Sequence, residues 1–223
     1  HLNAFVKYGI LQDKIFASVM TRKVIFEDLY GNYKTIREYI GEEASRSEKA
    51  ACGEEGEQAS VHETVYYASD SVEQAHYIEL FKRCHLNALL FDHVIDQPFM
   101  RRQELIHPNV GFVRIDSDIE ALFQGSLRDG DEVKVEKLTG KIRHALGGRL
   151  GKMGLKITNL EEPSITTLII NDEKSRRMAD MLEIYGMIKP ADTSLKELQS
   201  KSTFLVNLNN DIVRYVLDSP DSD

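Results

Sequence analysis

Hydrophobic positions in the first forty residues recur mostly at helical spacing. Phe5, Tyr8, Leu11, Ile15 and Val19 follow one another at intervals of three or four residues, and the same spacing returns over 33–40. Such spacing places apolar side chains on one face of a helix. We therefore predict a coil of short helices over residues 1–40.

The pattern stops between residues 41 and 63. This segment holds seven acidic and two basic residues, and it contains no Leu, Ile, Met, Phe or Tyr. A segment of this composition buries too little apolar surface to offset the entropy of the chain. We predict a loop or a disordered insertion over 41–63.

Runs of β-forming residues then alternate with helical stripes over 64–126. The runs lie at 64–68, 87–91 and 110–115, and amphipathic segments follow the first two. Strands that alternate with helices at this spacing favour a mainly parallel sheet covered by helices. We predict a small three-layer α/β/α subdomain.

A second module is predicted over 127–223. A turn at 129–131 precedes a helical stripe that ends at Gly147 and Gly148, and β-type runs follow at 155–159, 164–170 and 203–208. A further helix is expected to begin at Asn171, a good N-cap residue. The fold class is therefore α/β followed by a second, α+β domain.

Composition narrows the classes of function. The 223 residues carry 28 basic and 36 acidic side chains, a net charge of −8, so no basic field is available to attract nucleic acid. No apolar run approaches the roughly 18 residues of a membrane span. Cys52 and Cys84 lie far apart and form no paired motif, which fits a reducing cytoplasm. The chain starts without Met or a signal peptide, so we expect a fragment of a longer protein.

No motif for nucleotide or metal chemistry is complete. The glycines at 147–152 resemble a phosphate loop, but Leu146 and Met153 occupy positions that need Gly and Ser or Thr. His85, Asp92, His93 and Asp96 form the best candidate metal cluster, because imidazole and carboxylate bind divalent ions. We interpret them as polar residues at strand and helix ends. We therefore predict no catalytic, cofactor or metal site.

One stripe of flexible side chains is more informative. Met178, Met181, Leu182 and Tyr185 stand at i, i+3, i+4 and i+7 of the helix predicted after Asn171. Such a stripe is usually core. Thioether side chains also repack against many partners, and promiscuous binding surfaces use them for this purpose. The pattern leaves both interpretations open.

Short segments in a fixed order carry a family resemblance. They are YKTIREYI at 33–40, VYYASD at 65–70, IELFK at 78–82, LLFD at 89–92, RHALG at 143–147, ITNLEEP at 157–163, MADM at 178–181 and VNLNN at 206–210. Together they resemble the ninety-kilodalton heat-shock chaperone family in its bacterial HtpG branch. The match runs to about residue 217 and omits the acidic insertion.

The resemblance implies the end of a middle domain followed by most of a carboxy-terminal domain. The ATP-binding domain would lie upstream, so ATP and magnesium are expected for the intact protein and no cofactor for this chain. The stripe from Met178 to Tyr185 would face client proteins, as would the segment after Asp96. There this sequence has Phe99 and Met100, while the acid and aromatic residue of relatives are replaced by Gln97 and Pro98.

The resemblance also bears on assembly. The intact protein is expected to be a homodimer, while this chain, without the family's dimerisation helices, is expected to be a monomer or a weak dimer.

The interpretation that competes with a chaperone fragment is a small α/β enzyme. It would use Asp70, Asp92 or Asp96 as an acid or base at the carboxyl ends of the strands.

Overall fold

The computed structural model describes residues 2–50, 63–117, 122–123, 130–150, 153–172, 177–178, 181–182 and 202–219. The chain divides into two compact units, His1–Ile115 and Asp116–Asp223. The second unit thus starts at Asp116, whereas the sequence pattern placed the boundary at 126–127. The sheets described below confirm the mixed α/β class.

Two packed helices open the first unit. Helix α1 spans Leu2–Gln12 and helix α2 spans Lys14–Met20. Asp13 caps α2, because its carboxylate accepts the N–H groups of Ile15 and Phe16 at 2.7 and 2.9 Å. The helices approach closely at Gly9, where an added Cβ would lie 2.9 Å from the Phe16 ring.

A β-hairpin follows where only helices were predicted. Strand β1 (Ile25–Glu27) pairs with β2 (Tyr33–Thr35) in antiparallel register. Asp28 builds the turn, since its carboxylate accepts the N–H groups of Tyr30 and Asn32, and Gly31 supplies a φ of +81°. Residues 1–40 are therefore not a purely helical coil.

Helix α3 runs over Ile36–Ala50 and corrects part of the predicted insertion. A capping box starts it: the N–H of Thr35 donates to Glu38 Oε2 at 2.7 Å, and the N–H of Glu38 donates to the Thr35 hydroxyl at 3.2 Å. Ala, Glu, Lys and Arg over 42–50 favour helix even without an apolar face. Residues 51–62 of the predicted insertion, with Cys52, lie outside the described residues.

A parallel sheet forms the centre of the first unit. Strands β3 (Glu63–Ala68), β4 (Leu89–Leu90) and β5 (Val110–Arg114) lie in the order β4-β3-β5. Helix α4 spans Ala75–Arg83 and α5 spans Asp96–Ile106.

Helices cover both faces of this sheet. Val65 and Tyr67 face a core shared with α1, α3 and α5, whereas the Tyr66 ring lies 5.7 Å from the ring of Phe81 on α4. Alternate residues of a strand point to opposite faces. The predicted three-layer arrangement is therefore confirmed.

The second unit contains a mixed sheet. Its elements are α6 (Asp131–Leu146), a 3-10 turn (Gly147–Leu150), β6 (Gly154–Thr158), β7 (Thr167–Asn171), β8 (Ser202–Asn207) and α7 (Asp211–Asp218). Strand β8 is central, parallel to β6 and antiparallel to β7. Leu138, Ile157, Val206 and Leu217 lie in the core between the sheet and α6 and α7.

Residues near Asn171 differ from the prediction. Asn171 ends β7 and does not precede a helix directly; most of the predicted helix up to Gly186 lies outside the described residues.

The fully buried side chain of Asn207 joins β8 to the loop after β6. Its oxygen accepts the N–H groups of Leu160 and Asn209, and its NH₂ donates to the carbonyls of Glu162 and Ile165.

Among the described residues, no helix combines the length and apolar character needed to cross a bilayer.

Candidate functional site

The described part of the methionine stripe is neither fully exposed nor core. Met178 is 56% exposed, and Met181 and Leu182 are half-buried. Tyr185 lies outside the described residues. The stripe thus offers at least one open thioether side chain to a partner.

Phe99 and Met100 are core residues and do not form a binding surface. Their exposed fractions are 0% and 1%, and the Phe99 ring lies 5.9 Å from that of Phe26. The first turns of α5 pack against the sheet and the hairpin, which buries both side chains. The client-binding role expected for them from the family resemblance is corrected by this burial.

The structure brings together three of the four candidate metal ligands. Possible ligand atoms of Asp92, His93 and Asp96 lie within 4.8 Å of one another, while His85 is not in this group and lies two residues after α4, with a φ of 56°. Asp92 contacts the His93 ring. The backbone N–H of His93 donates to Asp96 Oδ2 at 3.1 Å.

A lysine already occupies the position where a cation would bind Asp96. The Lys7 ammonium pairs with Asp96 Oδ1, and both side chains are buried. Asp96 therefore uses both oxygens within the protein, and a metal ion would have to displace Lys7. This arrangement supports the interpretation as polar residues at a strand end and a helix start.

Lys7 is a buried cation that the sequence pattern did not reveal. Its Nζ lies 4.4 Å from the centre of the Phe26 ring and 5.8 Å from that of Phe91, distances at which a ring face attracts a cation. Lys7 stands three residues before Ile10, the buried apolar residue of α1. Helical position was the only available signal, and it does not distinguish a buried lysine from one that reaches solvent.

A cavity of about 440 Å³ opens beside this ion pair. Its wall is mainly apolar, with polar groups at Lys7, Lys23, Glu27 and His93 among those that line it. Glu27 accepts a hydrogen bond from the Tyr33 hydroxyl at 3.0 Å. The volume lies within the range of small-ligand pockets, roughly 300 to 1,000 Å³.

A second polar cluster surrounds Asp28 at the hairpin. Its Oδ2 lies 3.0 Å from Lys34 Nζ and accepts the Asn87 amide at 2.9 Å. Burial alone would raise the pKa of Asp28, but hydrogen bonds from Asn87, Asn32, Lys34 and Tyr30 outweigh it and lower the pKa to about 2. The cluster joins the hairpin to the strand that follows Asn87, and it has a structural role.

We expect this carboxylate to make the first unit sensitive to acid. The pKa of Asp28 falls from a usual 3.8 to about 2 on folding, so its stabilisation is complete above pH 3.8 and is lost as the pH falls through 2. The difference corresponds to about 2 kcal/mol. Denaturant unfolding from about pH 5 to about pH 2 should show a smaller pH dependence in Asp28→Asn than in the parent. Equal pH dependence in the two proteins would assign the effect to other carboxylates.

The carboxylates at the strand ends are held in structural roles. Asp70 accepts the N–H groups of Val72 and Glu73, and these bonds lower its pKa. A general acid at neutral pH needs a raised pKa instead. Asp92 is exposed beside His93, and Asp96 is buried against Lys7.

Apolar side chains on α1 and α2 that follow the predicted helical spacing are exposed. We call Leu2, Phe5, Tyr8, Ile15 and Val19 the helix-pair surface; all five are more than half exposed. The predicted helices over these residues are confirmed, and the sequence pattern did not specify which of their faces is buried. A helix can bury one apolar face and expose another, which spacing alone does not show.

A scan against models of known protein families finds no match for this chain. A search of curated proteins likewise finds no match.

Proposed function

We propose that this chain is part of an ATP-dependent molecular chaperone and serves as its scaffold for binding unfolded or partly folded client proteins. The observation that carries the proposal is the exposure of large apolar side chains on separate helices. Beyond the helix-pair surface, Ile212 and Tyr215 on α7 are 63% and 76% exposed, and Met178 is open as well.

Such exposure is consistent with binding polypeptides that have not yet buried their own apolar groups. Monomeric soluble proteins rarely expose extended apolar patches, and those that occur commonly mark interaction sites. The open thioether of Met178 adds adaptability, because an unbranched side chain repacks against differently shaped partners. The ordered family-like segments from 33–40 to 206–210 support the same proposal.

The wider features of the proposal concern the intact protein. They are binding and hydrolysis of ATP with magnesium, homodimer formation, a cytoplasmic location and a role in the heat-shock response. For this chain we propose no ATPase activity and a monomer or weak dimer. The enzyme alternative finds no specific support, because the described carboxylates at the strand ends serve as caps and as partners of Lys7 and His93.

The proposal predicts that Met178→Glu folds but protects clients less well. A charge at an exposed position costs little in the free chain, whereas one pressed against an apolar client segment is desolvated without a partner. Aggregation of a thermally unfolding protein, followed by light scattering with and without the chain, measures the effect. Val72→Glu is the matched control, since Val72 is 83% exposed in the loop between β3 and α4.

We expect Met178→Glu to keep its stability within roughly 0.5 kcal/mol of the parent and to lose much of its protection, while Val72→Glu keeps both. A parent chain that does not slow aggregation at any ratio would contradict the proposed function. Equal protection by parent and Met178→Glu would remove Met178 from the client-binding surface.

A further inference from the structure

Helix α1 is apolar on both sides, although only one side is buried. Its inner side carries Ile10, with no exposed surface, and its outer side carries Leu2 and Phe5, which are 78% and 75% exposed. A helix that is hydrophobic all round is normally covered on all sides. The outer side therefore has the composition of a contact surface.

The segment that holds α1, α2 and the 3-10 turn after them (Thr21–Lys23) has a charge opposite to that of the rest of the chain. Residues 1–23 carry four basic side chains and one acidic one, which leaves 24 basic and 35 acidic side chains elsewhere. Lys14, Arg22 and Lys23 are exposed, whereas the acid, Asp13, accepts two backbone N–H groups as the cap of α2. The exposed apolar side chains thus lie on a net basic segment of an otherwise acidic protein, and Glu27 and Asp92 are the acids that line the adjoining cavity.

The cavity beside Lys7 adjoins this surface. Leu2 and Lys23 both line it, and Val6, Met20 and Phe26 provide apolar wall. Partner side chains that contribute most to binding commonly fill such a pocket at the centre of a contact surface. An apolar side chain entering the cavity would bring its chain neighbours close to Lys23.

We infer that the helix-pair surface binds polypeptide segments in which large apolar residues are flanked by Asp or Glu. One apolar side chain enters the cavity, others lie on Phe5 and Ile15, and the flanking carboxylates face Lys14, Arg22 and Lys23. The inference rests on the proposed chaperone function and specifies the class of client segment that this surface selects.

A polypeptide fits these observations better than an anionic membrane. The cavity is a recess with a mainly apolar wall, which a protruding peptide side chain can enter and a flat bilayer cannot. The acidic remainder of the chain would also be repelled by an anionic lipid surface. A segment that is both apolar and acidic complements the surface in both respects.

Binding of two synthetic peptides tests the inference. One fluorescein-labelled peptide combines Leu and Phe with Glu, and its partner has Lys in place of every Glu. Fluorescence anisotropy with the full chain should show at least about tenfold tighter binding of the Glu peptide. This preference should shrink at high salt, because exposed charges are screened.

Three variants separate the contributions. Arg22→Glu with Lys23→Glu should abolish or reverse the preference, and Phe5→Ser with Ile15→Ser should weaken binding of both peptides about tenfold or more. Val72→Ser with Leu105→Ser is the matched control, because both side chains are exposed and neither belongs to an apolar surface assigned to client binding; it should bind as the parent does. Circular dichroism confirms that each variant is folded.

Several outcomes would overturn the inference. They are equal affinity for the two peptides, unchanged binding by the charge-reversed variant, and binding to phosphatidylserine vesicles in place of the Glu peptide. Self-association that depends on Phe5 and Ile15 would assign the surface to a second copy. If the chain suppresses aggregation but does not bind the Glu peptide, only the inference is contradicted. If it binds the Glu peptide but does not suppress aggregation, only the proposed function is contradicted.

Discussion

Replacing Asn207 by Leu is expected to destabilise the second unit by at least about 3 kcal/mol, because buried polar groups left without partners cost about 1 to 3 kcal/mol each. The side chain is fully buried and uses its whole hydrogen-bonding capacity. The N–H groups of Leu160 and Asn209 would lose their bond to the side-chain oxygen, and the carbonyls of Glu162 and Ile165 would lose their bond from its NH₂. A leucine of similar size replaces none of these bonds.

Hydrogen exchange read by mass spectrometry locates this effect. Protection of β6, β7 and β8 should fall in Asn207→Leu, while β3 and β5 exchange as in the parent. Asn209→Leu is the control, because Asn209 is half-buried and its NH₂ donates to the Leu160 carbonyl at 3.2 Å. Unchanged protection of β8 in Asn207→Leu would show that the loop after β6 does not depend on this amide.

The second large effect is expected at the buried pair of Lys7 and Asp96. Lys7→Met keeps the length of the side chain but leaves the Asp96 carboxylate buried without its cation. Removing one partner of a buried ion pair typically costs about 3 to 5 kcal/mol. Denaturant unfolding, with hydrogen exchange of α1 and α5 as the local probe, measures the loss.

A double-mutant cycle distinguishes pairing from packing. Asp96→Asn leaves Lys7 without its carboxylate partner, and the double variant Lys7→Met with Asp96→Asn leaves no buried charge at this site. We expect the double variant to lose clearly less stability than the sum of the single variants. Lys14→Met, at an exposed position, should change stability by no more than roughly 0.5 kcal/mol. Additive losses in the cycle would mean that the ion pair itself contributes nothing.

The parallel sheet could be predicted because its strands are short, continuous apolar runs separated by amphipathic helices. Val65 and Tyr67 in β3 and Phe112 in β5 are buried as such runs require. The strands of the second unit were recognised for a similar reason. Local composition and periodicity determine these elements, so a single sequence contains the signal.

Features that depend on distant partners could not be predicted. Lys7 is buried because Asp96, 89 residues away in the sequence, lies opposite it. The spacing of apolar and polar residues along the chain does not indicate this pairing. The hairpin strands have only three residues each, too few for an alternating pattern, and they depend on the turn around Asp28. The burial of Phe99 and Met100 likewise follows from where α5 packs, which the family resemblance did not reveal.

The position of β8 has a consequence for synthesis on the ribosome. Strands β6 and β7 each pair with β8 and not with each other, and β8 begins at Ser202, after both of them. Chains emerge from the amino terminus, at about 5 to 20 residues per second. The outer strands of this sheet therefore stay unpaired for seconds until β8 emerges, whereas in the first unit the central strand β3 emerges first and can pair with β4 once Leu90 has emerged, before β5 follows. During that interval the second unit is itself an unfinished polypeptide with exposed strand edges, and its nascent form should be more prone to aggregation than that of the first unit.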